Sequence, residues 1–413
     1  MDGEDTRSRI DARDRGFLPN NDLTNKIIDK RIIDNMKINV LKSSVVLCAA
    51  ALLGLLSSCG DKPVPGNLLD ASAFETTIDG KPVSLYTITN GTVTAQITNY
   101  CGYIVGIYTP DSNGFYDNIV SGYDSIDQYQ SMGSKPVGTA LGRYANRIAN
   151  ASFTLDGVEY QITRNNGQHT LHGGNEGLGH IVWDVDKVAK DKVVMSSLLA
   201  DGSDGFPGNF KTILTFSITK DNALSIDYEA TTDKPTVCNL SHHVYFNLEG
   251  PDSPSVLDHI LTLNSDSITE VDATLIPTGT ILPVDGTAFD FRSGVRIGDR
   301  QMAPMPRGSF APGAPMPELP EGMVRSYDQN FCLNHTEDGA VELVASLYSP
   351  KTGRLMEVLN NRPGLQVFTG RTTAIALESQ NYPDAPNHPD FPSAVLRPGE
   401  TYHHNIVYRF SVK

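Results

Sequence analysis

Residues 83–108 read VSLYTITNGTVTAQITNYCGYIVGIY. Three runs rich in Val, Ile, Thr and Tyr, Val83–Thr89, Thr92–Thr98 and Ile104–Tyr108, have the composition of strands. The pair Asn90-Gly91 between the first two supplies residues that tolerate positive φ, as a tight hairpin turn requires. The same grammar recurs outward from this stretch. Ile78-Asp79-Gly80-Lys81 and Leu155-Asp156-Gly157-Val158 are hairpin signals. Further short strands are read at Ser152–Leu155, Glu159–Ile162, Thr212–Ile218, Leu224–Ala230, Ile260–Leu263, Val341–Tyr348 and Leu355–Leu359. No amphipathic helical pattern of useful length follows residue 60. Strand–helix alternation and a Gly-rich phosphate loop are both missing, which argues against a dinucleotide-binding fold. No fixed-period repeat points to a propeller. The expectation is an all-β chain built as a large antiparallel β-sandwich. The Pro-rich segment Met302–Gly322 reads as an extended loop inside that domain.

At 413 residues the chain has length for two or three ordinary domains, but all-β folds often run longer as one unit. Lys and Arg number 33 against 48 Asp and Glu, a net charge of −15. That balance excludes a nucleic-acid binder that tracks phosphates with a basic stripe. Five cysteines without regular spacing exclude a disulfide scaffold and a Cys-rich zinc module. Cys101, Cys238 and Cys332 are expected as buried free thiols.

The N-terminus reads as an address. Residues 1–35 carry 15 charged residues of both signs with no apolar periodicity, so they are read as a disordered or untranslated extension. From Met36 the pattern is that of a secretory signal. Lys37 and Lys42 precede the apolar run Val45–Leu56, whose 12 residues would span only about 18 Å as a helix, short of a bilayer core. Leu56-Ser57-Ser58-Cys59 then resembles the lipobox of bacterial lipoproteins, which implies a signal peptide over 36–59, lipidation at Cys59 and export to a membrane-anchored position. Residues 60–72 read as a tether, and 73–413 as the folded domain.

Six polar clusters fall where strands end: Gly142–Asn150, Asn165–Gly174, Asn239–Leu248, Ser326–Phe331, Pro363–Gly370 and Ala376–Asn387. They supply His, Glu, Asp, Asn, Gln and Arg, but neither a thiol nucleophile nor a G-x-S-x-G turn. Such a set suits hydrogen bonding to many hydroxyls plus one proton donor and one acceptor. Moving protons between sugar oxygens needs one imidazole as acid and one carboxylate as base.

In this order the six clusters resemble the aldose 1-epimerase family. Asp204–Asn209, Leu275–Gly279, Gly286–Phe291 and Leu396–Tyr402 add to the likeness, which covers roughly residues 75–413. The resemblance implies a single large β-sandwich with a shallow sugar cleft, acting on free aldohexoses without metal, nicotinamide or phosphate, as a monomer or weak dimer. It implies His243 as general acid toward the ring oxygen and Glu378 as general base on the anomeric hydroxyl. It also implies Asn146, Arg147, His172, Asp328 and Gln366 as sugar-holding residues. Tyr245 is placed with them as a ring able to stack on the sugar; for Tyr144 and Tyr382 packing is the plainer reading. His242 stands where the family often has Asn, and the Asn-Leu and Tyr-Phe-Asn-Leu flanks set the register on His243. Ser379 stands where Thr is common. Asp290 is read as fixing a loop. His403 and His404, adjacent on a strand, point to opposite faces and make poor metal co-ligands. Two rival readings remain: a non-catalytic sugar-binding lipoprotein, and a hexose-6-phosphate epimerase, which would want additional Arg or Lys near the cleft.

Overall fold

Two-residue loops tie the first hairpins, and they adopt the geometry their sequence demands. Ile78 pairs with Lys81 across Asp79 (φ 52°) and Gly80 (φ 75°), and Leu155 pairs with Val158 across Asp156 (φ 50°) and Gly157 (φ 80°). Both central residues are left-handed, as the right-handed strand twist favours. At Asn90 the side-chain oxygen accepts from the Thr92 and Val93 amides, closing a longer connection between Leu85–Thr89 and Thr94–Thr98. The computed structural model describes residues 65–131, 138–301, 320, 322–336, 339–370 and 372–413. The readings of residues 1–59, Cys59 included, lie outside the described residues, as does nearly all of the Pro-rich segment.

The strands assemble into three main sheets. The long sheet has nine strands in the spatial order Asp184–Ala189, Lys192–Leu199, Phe210–Ile218, Ala223–Thr232, Tyr402–Val412, Arg354–Asn360, Glu342–Tyr348, Ile260–Leu263 and Val295–Arg296. The site sheet has six: Tyr245–Phe246, Ile375–Gln380, Gly364–Phe368, Asp328–Leu333, Ser265–Val271 and Pro277–Pro283. A third, of four strands, spans Leu85–Thr89 to Tyr116–Asn118. Neighbours within these sheets pair antiparallel throughout the described residues.

Period-two burial shows how the sheets share one core. Phe210, Thr212, Leu214, Phe216 and Ile218 are buried while Lys211 between them is exposed. Leu214 and Phe216 of the long sheet, Leu365 and Leu377 of the site sheet, and Ala95 and Ile107 of the third belong to one continuous apolar cluster. Strand Ile375–Gln380 is buried at every position, so both its faces are covered. Ile375 and Leu377 face the shared core, and Glu378 therefore faces away from it.

Three details differ from the sequence reading. A short helix, Ile126–Ser131, forms where none was expected; it buries Ile126 and Tyr129. The packed chain begins before residue 73, because Leu69 exchanges two hydrogen bonds with the Gln96 amide and Ala71–Phe74 form a 3-10 turn capped by Asp70. The run Val83–Thr89 is split, with Val83 ending one strand and Leu85 opening the next. The three cysteines are buried and unpaired, as expected.

Candidate active site

Register alone brings half the candidate residues together. Glu378 lies opposite Gln366, which lies opposite Asn330; one step along, Asp328, Phe368, Ala376 and Tyr245 form the adjacent row. Cross-strand neighbours on one face are within side-chain reach, so a continuous polar floor results. Gln366 Nε2 donates to Asp328 Oδ1 at 2.6 Å, and Gln380 Nε2 donates to Asn330 Oδ1 at 3.2 Å and to Gln366 Oε1 at 3.4 Å. Asn330 and Gln380 were not singled out from the sequence. Their signal was the two-residue spacing from Asp328 and Glu378.

His243 sits in the gap between two short strands, Ser241–His242 and Tyr245–Phe246. Its amide donates to Thr139 O (3.0 Å) and its carbonyl accepts from Gly138 (2.8 Å). The ring stacks on Tyr245 (centroids 4.7 Å, 26°) and meets the edges of His172 and Phe368. Its Nε2 lies 3.3 Å from Glu378 Oε1. His243 Nδ1 and Glu378 Oε2 have no protein hydrogen-bond partner. His242 points the other way, into the core. Its Nε2 is 3.1 Å from Gly138 O and its Nδ1 2.8 Å from Tyr228 Oη. A carbonyl only accepts, so Nε2 carries the proton, and Nδ1 shares the single Tyr228 hydroxyl proton with Ser241 O. The choice of His243 over its neighbour is thus a matter of which face each ring occupies.

Two loops close the other side. Asn146 (φ 62°) and His172 (φ 54°) both take left-handed backbone, and the Asn146 amide donates to His172 Nδ1 at 3.1 Å. A neutral His172 therefore keeps its proton on Nε2. Ligand-type atoms of His172, His243 and Glu378 all lie within 4.8 Å of one another, but that proton leaves His172 without a second free lone pair. Arg147 Nη2 lies 3.7 Å from Asp328 Oδ2, and Asn146 Oδ1 accepts from the Arg147 amide at 2.8 Å. All eight candidates thus converge, with Tyr245 as a plate behind His243.

These loops rest on residues whose role was not read from the sequence. Arg143 is buried, donates to Pro207 O and Gly208 O, and lies over the Phe210 ring at 4.9 Å. The Asp204 carboxylate accepts from the Asn175 and Glu176 amides. The Asp204–Asn209 tract is therefore a buttress for both loops. Asp384, buried, accepts from the Ala149 amide, while its own amide donates to Arg147 O. Tyr144 is packed, bonding Tyr382 O and the Ala385 amide, and Asp290 holds Arg292 in its loop.

Burial sets the electrostatics. The deep pair is nearly closed to solvent, with side-chain exposures of 6% for His243 and 2% for Glu378, whereas Arg147 and Asp328 stand at 12% and 23%. Arg147 and Asp328 thus form the more exposed edge of the group. Desolvation drives the His243 imidazole down to about 3. It pushes the Glu378 carboxyl well above its usual range, Asp328 adding to the push and Arg147 opposing it. His172 is held well below its usual value by burial, then by His243 and Arg147. Burial thus favours neutral imidazole beside carboxylic acid over the imidazolium–carboxylate pair expected for the free site. The two forms carry the same proton count and differ by one proton's position.

The sequence matches the aldose 1-epimerase family over residues 84–409. It is 35% identical to galactose mutarotase of Sus scrofa over 326 residues, covering 75% of this chain and 88% of the relative. It is 32% identical to aldose 1-epimerase of Escherichia coli over 350 residues, covering 80% and 96%. The crystal structure of an aldose epimerase homologue from C. elegans superposes with a TM-score of 0.71 at 31% identity, covering 80% of this chain and 99% of that one. The galactose 1-epimerase of Lactobacillus acidophilus, at 24% identity and TM-score 0.68 over 82% and 97%, shares the fold. A match spanning most of the sequence, relatives aligned along nearly their whole length, and an imidazole–carboxylate pair at the base of a polar cleft agree: the chain belongs to the aldose 1-epimerase family of isomerases.

Proposed function

We propose that His243 and Glu378 interconvert the α and β anomers of a free aldohexose such as galactose or glucose. Glu378 takes the proton of the C1 hydroxyl while His243 protonates the ring oxygen. The C1–O5 bond breaks to give the open-chain aldehyde, C1 rotates, and closure on its other face returns both protons. Both oxygens are bonded to the same carbon, so acid and base must stand within one contact of each other. The 3.3 Å separation of His243 Nε2 and Glu378 Oε1 is the observation that carries this reading. The pKa directions fit it. After ring opening the pair is neutral imidazole and carboxylic acid, the form burial favours, so the site supports the open-chain intermediate. Ring opening starts from the charged form, which burial disfavours and which Arg147 assists by lowering Glu378. His172, through Nε2–H, together with Asn146, Arg147, Asp328 and Gln366, holds the hydroxyls.

Polarimetry on freshly dissolved α-D-galactose and α-D-glucose tests it. Wild type should speed the approach to equilibrium, while His243→Ala and Glu378→Gln each lose about 10²- to 10⁴-fold in kcat and keep sugar binding. A wild-type trace equal to the uncatalysed one would return the chain to a binding role. A higher rate on glucose 6-phosphate than on glucose would favour the phosphate-sugar reading.

We also propose that the chain is exported and lipid-anchored, on the strength of Leu56-Ser57-Ser58-Cys59. Two or more acyl chains anchor firmly where one does not. Radiolabelled palmitate should enter the protein and be lost in Cys59→Ala; an unlabelled soluble product overturns the proposal.

A further inference from the structure

The strand Tyr402–Val412 turns Tyr402, His404, Ile406, Tyr408 and Phe410 toward the interior, and three of these are polar. Tyr402 Oη accepts from the Leu240 amide at 3.2 Å, three residues before His243. Tyr408 Oη donates to Leu377 O at 3.3 Å, one residue before Glu378. Each tyrosine touches one of the two segments that carry the acid and the base. His404, between them, touches both: Nδ1 is 2.9 Å from Leu240 O and Nε2 is 2.8 Å from Ser379 Oγ.

We propose that His404 is a positioning residue, one rigid imidazole that ties the His243 segment to the Glu378 strand and sets the spacing between acid and base. This rests on the acid–base reading of His243 and Glu378. The bond directions are fixed by chemistry. Leu240 O only accepts, so Nδ1 carries the proton; Nε2 then accepts from the Ser379 hydroxyl. A neutral ring offers one donor and one acceptor on a planar frame, which suits a carbonyl on one side and a hydroxyl on the other. His404 is buried, with the Tyr228 ring stacked at 6.4 Å and the edge of Tyr402 beside it. Burial and then the Arg362 charge hold it well below its ordinary value, so the ring stays neutral. It has no route to the sugar, because the site sheet stands between.

A residue that merely satisfied a buried hydroxyl would change stability and leave the folded enzyme's turnover alone. A positioning residue changes kcat, since misplacement of reacting groups by about 1 Å can cost on the order of 10²-fold. Ser379→Ala removes one arm at the cost of a single atom. His404→Phe removes both, and His404→Gln restores one donor and one acceptor. With galactose as substrate, kcat and KM by polarimetry should be read beside folded fraction from near-UV circular dichroism. Ser379→Ala and His404→Phe are expected to lose about tenfold or more in kcat with KM nearly unchanged, and His404→Gln to recover most of it. Folded Ser379→Ala with wild-type kcat, or a loss no larger than the loss of folded protein, overturns the proposal. Should His404→Phe fail to fold, Ser379→Ala decides alone. His243→Ala and Glu378→Gln run alongside separate the two readings. If both keep wild-type kcat, the acid–base reading fails; if both are inactive while Ser379→Ala turns over normally, only the positioning role fails.

Discussion

At the residue scale, adjacent histidines divide chemistry from architecture. His243 presents its ring to Glu378, and His242 presents its own to Tyr228 and Gly138. His242 ends a short strand and His243 lies in the gap that follows it, and their rings occupy opposite compartments. Substituting them should separate two measurements. His243→Asn is expected to lose about 10²- to 10⁴-fold in kcat with a urea midpoint close to wild type. His242→Phe takes one of two partners from the buried Tyr228 hydroxyl and from the Gly138 carbonyl, which keep Ser241 O and the Ile104 amide, at about 0.5–1.5 kcal/mol for each hydrogen bond lost. Its midpoint should fall while the folded fraction still turns over; equal losses of turnover in both variants would contradict the division. The flanking tracts singled out His243 by resemblance, but the facing behind that choice was not legible in the sequence. Which ring looks into the cleft depends on where Gly138, Thr139 and Tyr228 arrive, and those residues come from distant segments.

At the element scale, backbone meets backbone where the two loops proposed to hold the sugar touch. A Cβ placed on Gly173 (φ 89°) would stand 2.3 Å from Gly142 O and 2.6 Å from Arg143 N. The sequence shows Gly173-Gly174 as a turn; only the fold shows that glycine is required because another chain segment occupies the side-chain volume. Gly173→Ala therefore pushes the Asn165–Gly174 loop away from Gly142–Asn150, the two carrying His172 and Asn146–Arg147. Overpacking and left-handed strain each cost about 1–3 kcal/mol. The expected outcome is a lower unfolding midpoint together with a raised KM for galactose, since the residues displaced are those proposed to hold the sugar. A variant with unchanged KM would show that the loops move independently. Two hairpins, by contrast, were legible in full, because Asp79-Gly80 and Asp156-Gly157 encode their turns in two adjacent residues, whereas Asn90-Gly91 opens a four-residue connection where a tight turn was read.

At the scale of the whole molecule, sheet order was not legible. The last strand, Tyr402–Val412, inserts between Ala223–Thr232 and Arg354–Asn360, and no local pattern specifies partners so far away. The fold as a whole buries several histidines, and their burial gives stability a definite pH dependence. Burial takes His242 and His243 to about 3 and His259 to about 4 from an ordinary 6.5, and holds His172 and His404 well below it. The unfolded chain would protonate these imidazoles as pH falls below 6.5, while the folded chain refuses the protons. Their contribution is complete above that pH and is lost as pH falls toward the folded values. Glu378 and Asp384, both raised by burial, act in the opposite sense, since each holds a proton in the fold above the pH at which the unfolded carboxyl releases it. With His180, also lowered by burial, six imidazoles against two carboxyls leave a net loss of stability on acidification from pH 6.5 to 4.5. His259 tests this apart from the active site: it is buried, and its Nε2 accepts from the Leu248 amide at 3.1 Å, a bond a glutamine oxygen can also accept. In His259→Gln the dependence of unfolding free energy on pH across this window should flatten by up to about 1.4 kcal/mol per pH unit, one proton's worth. Urea midpoints measured at intervals from pH 7.5 to 4.5 would show it, and parallel curves for wild type and variant would mean that His259 does not titrate on unfolding.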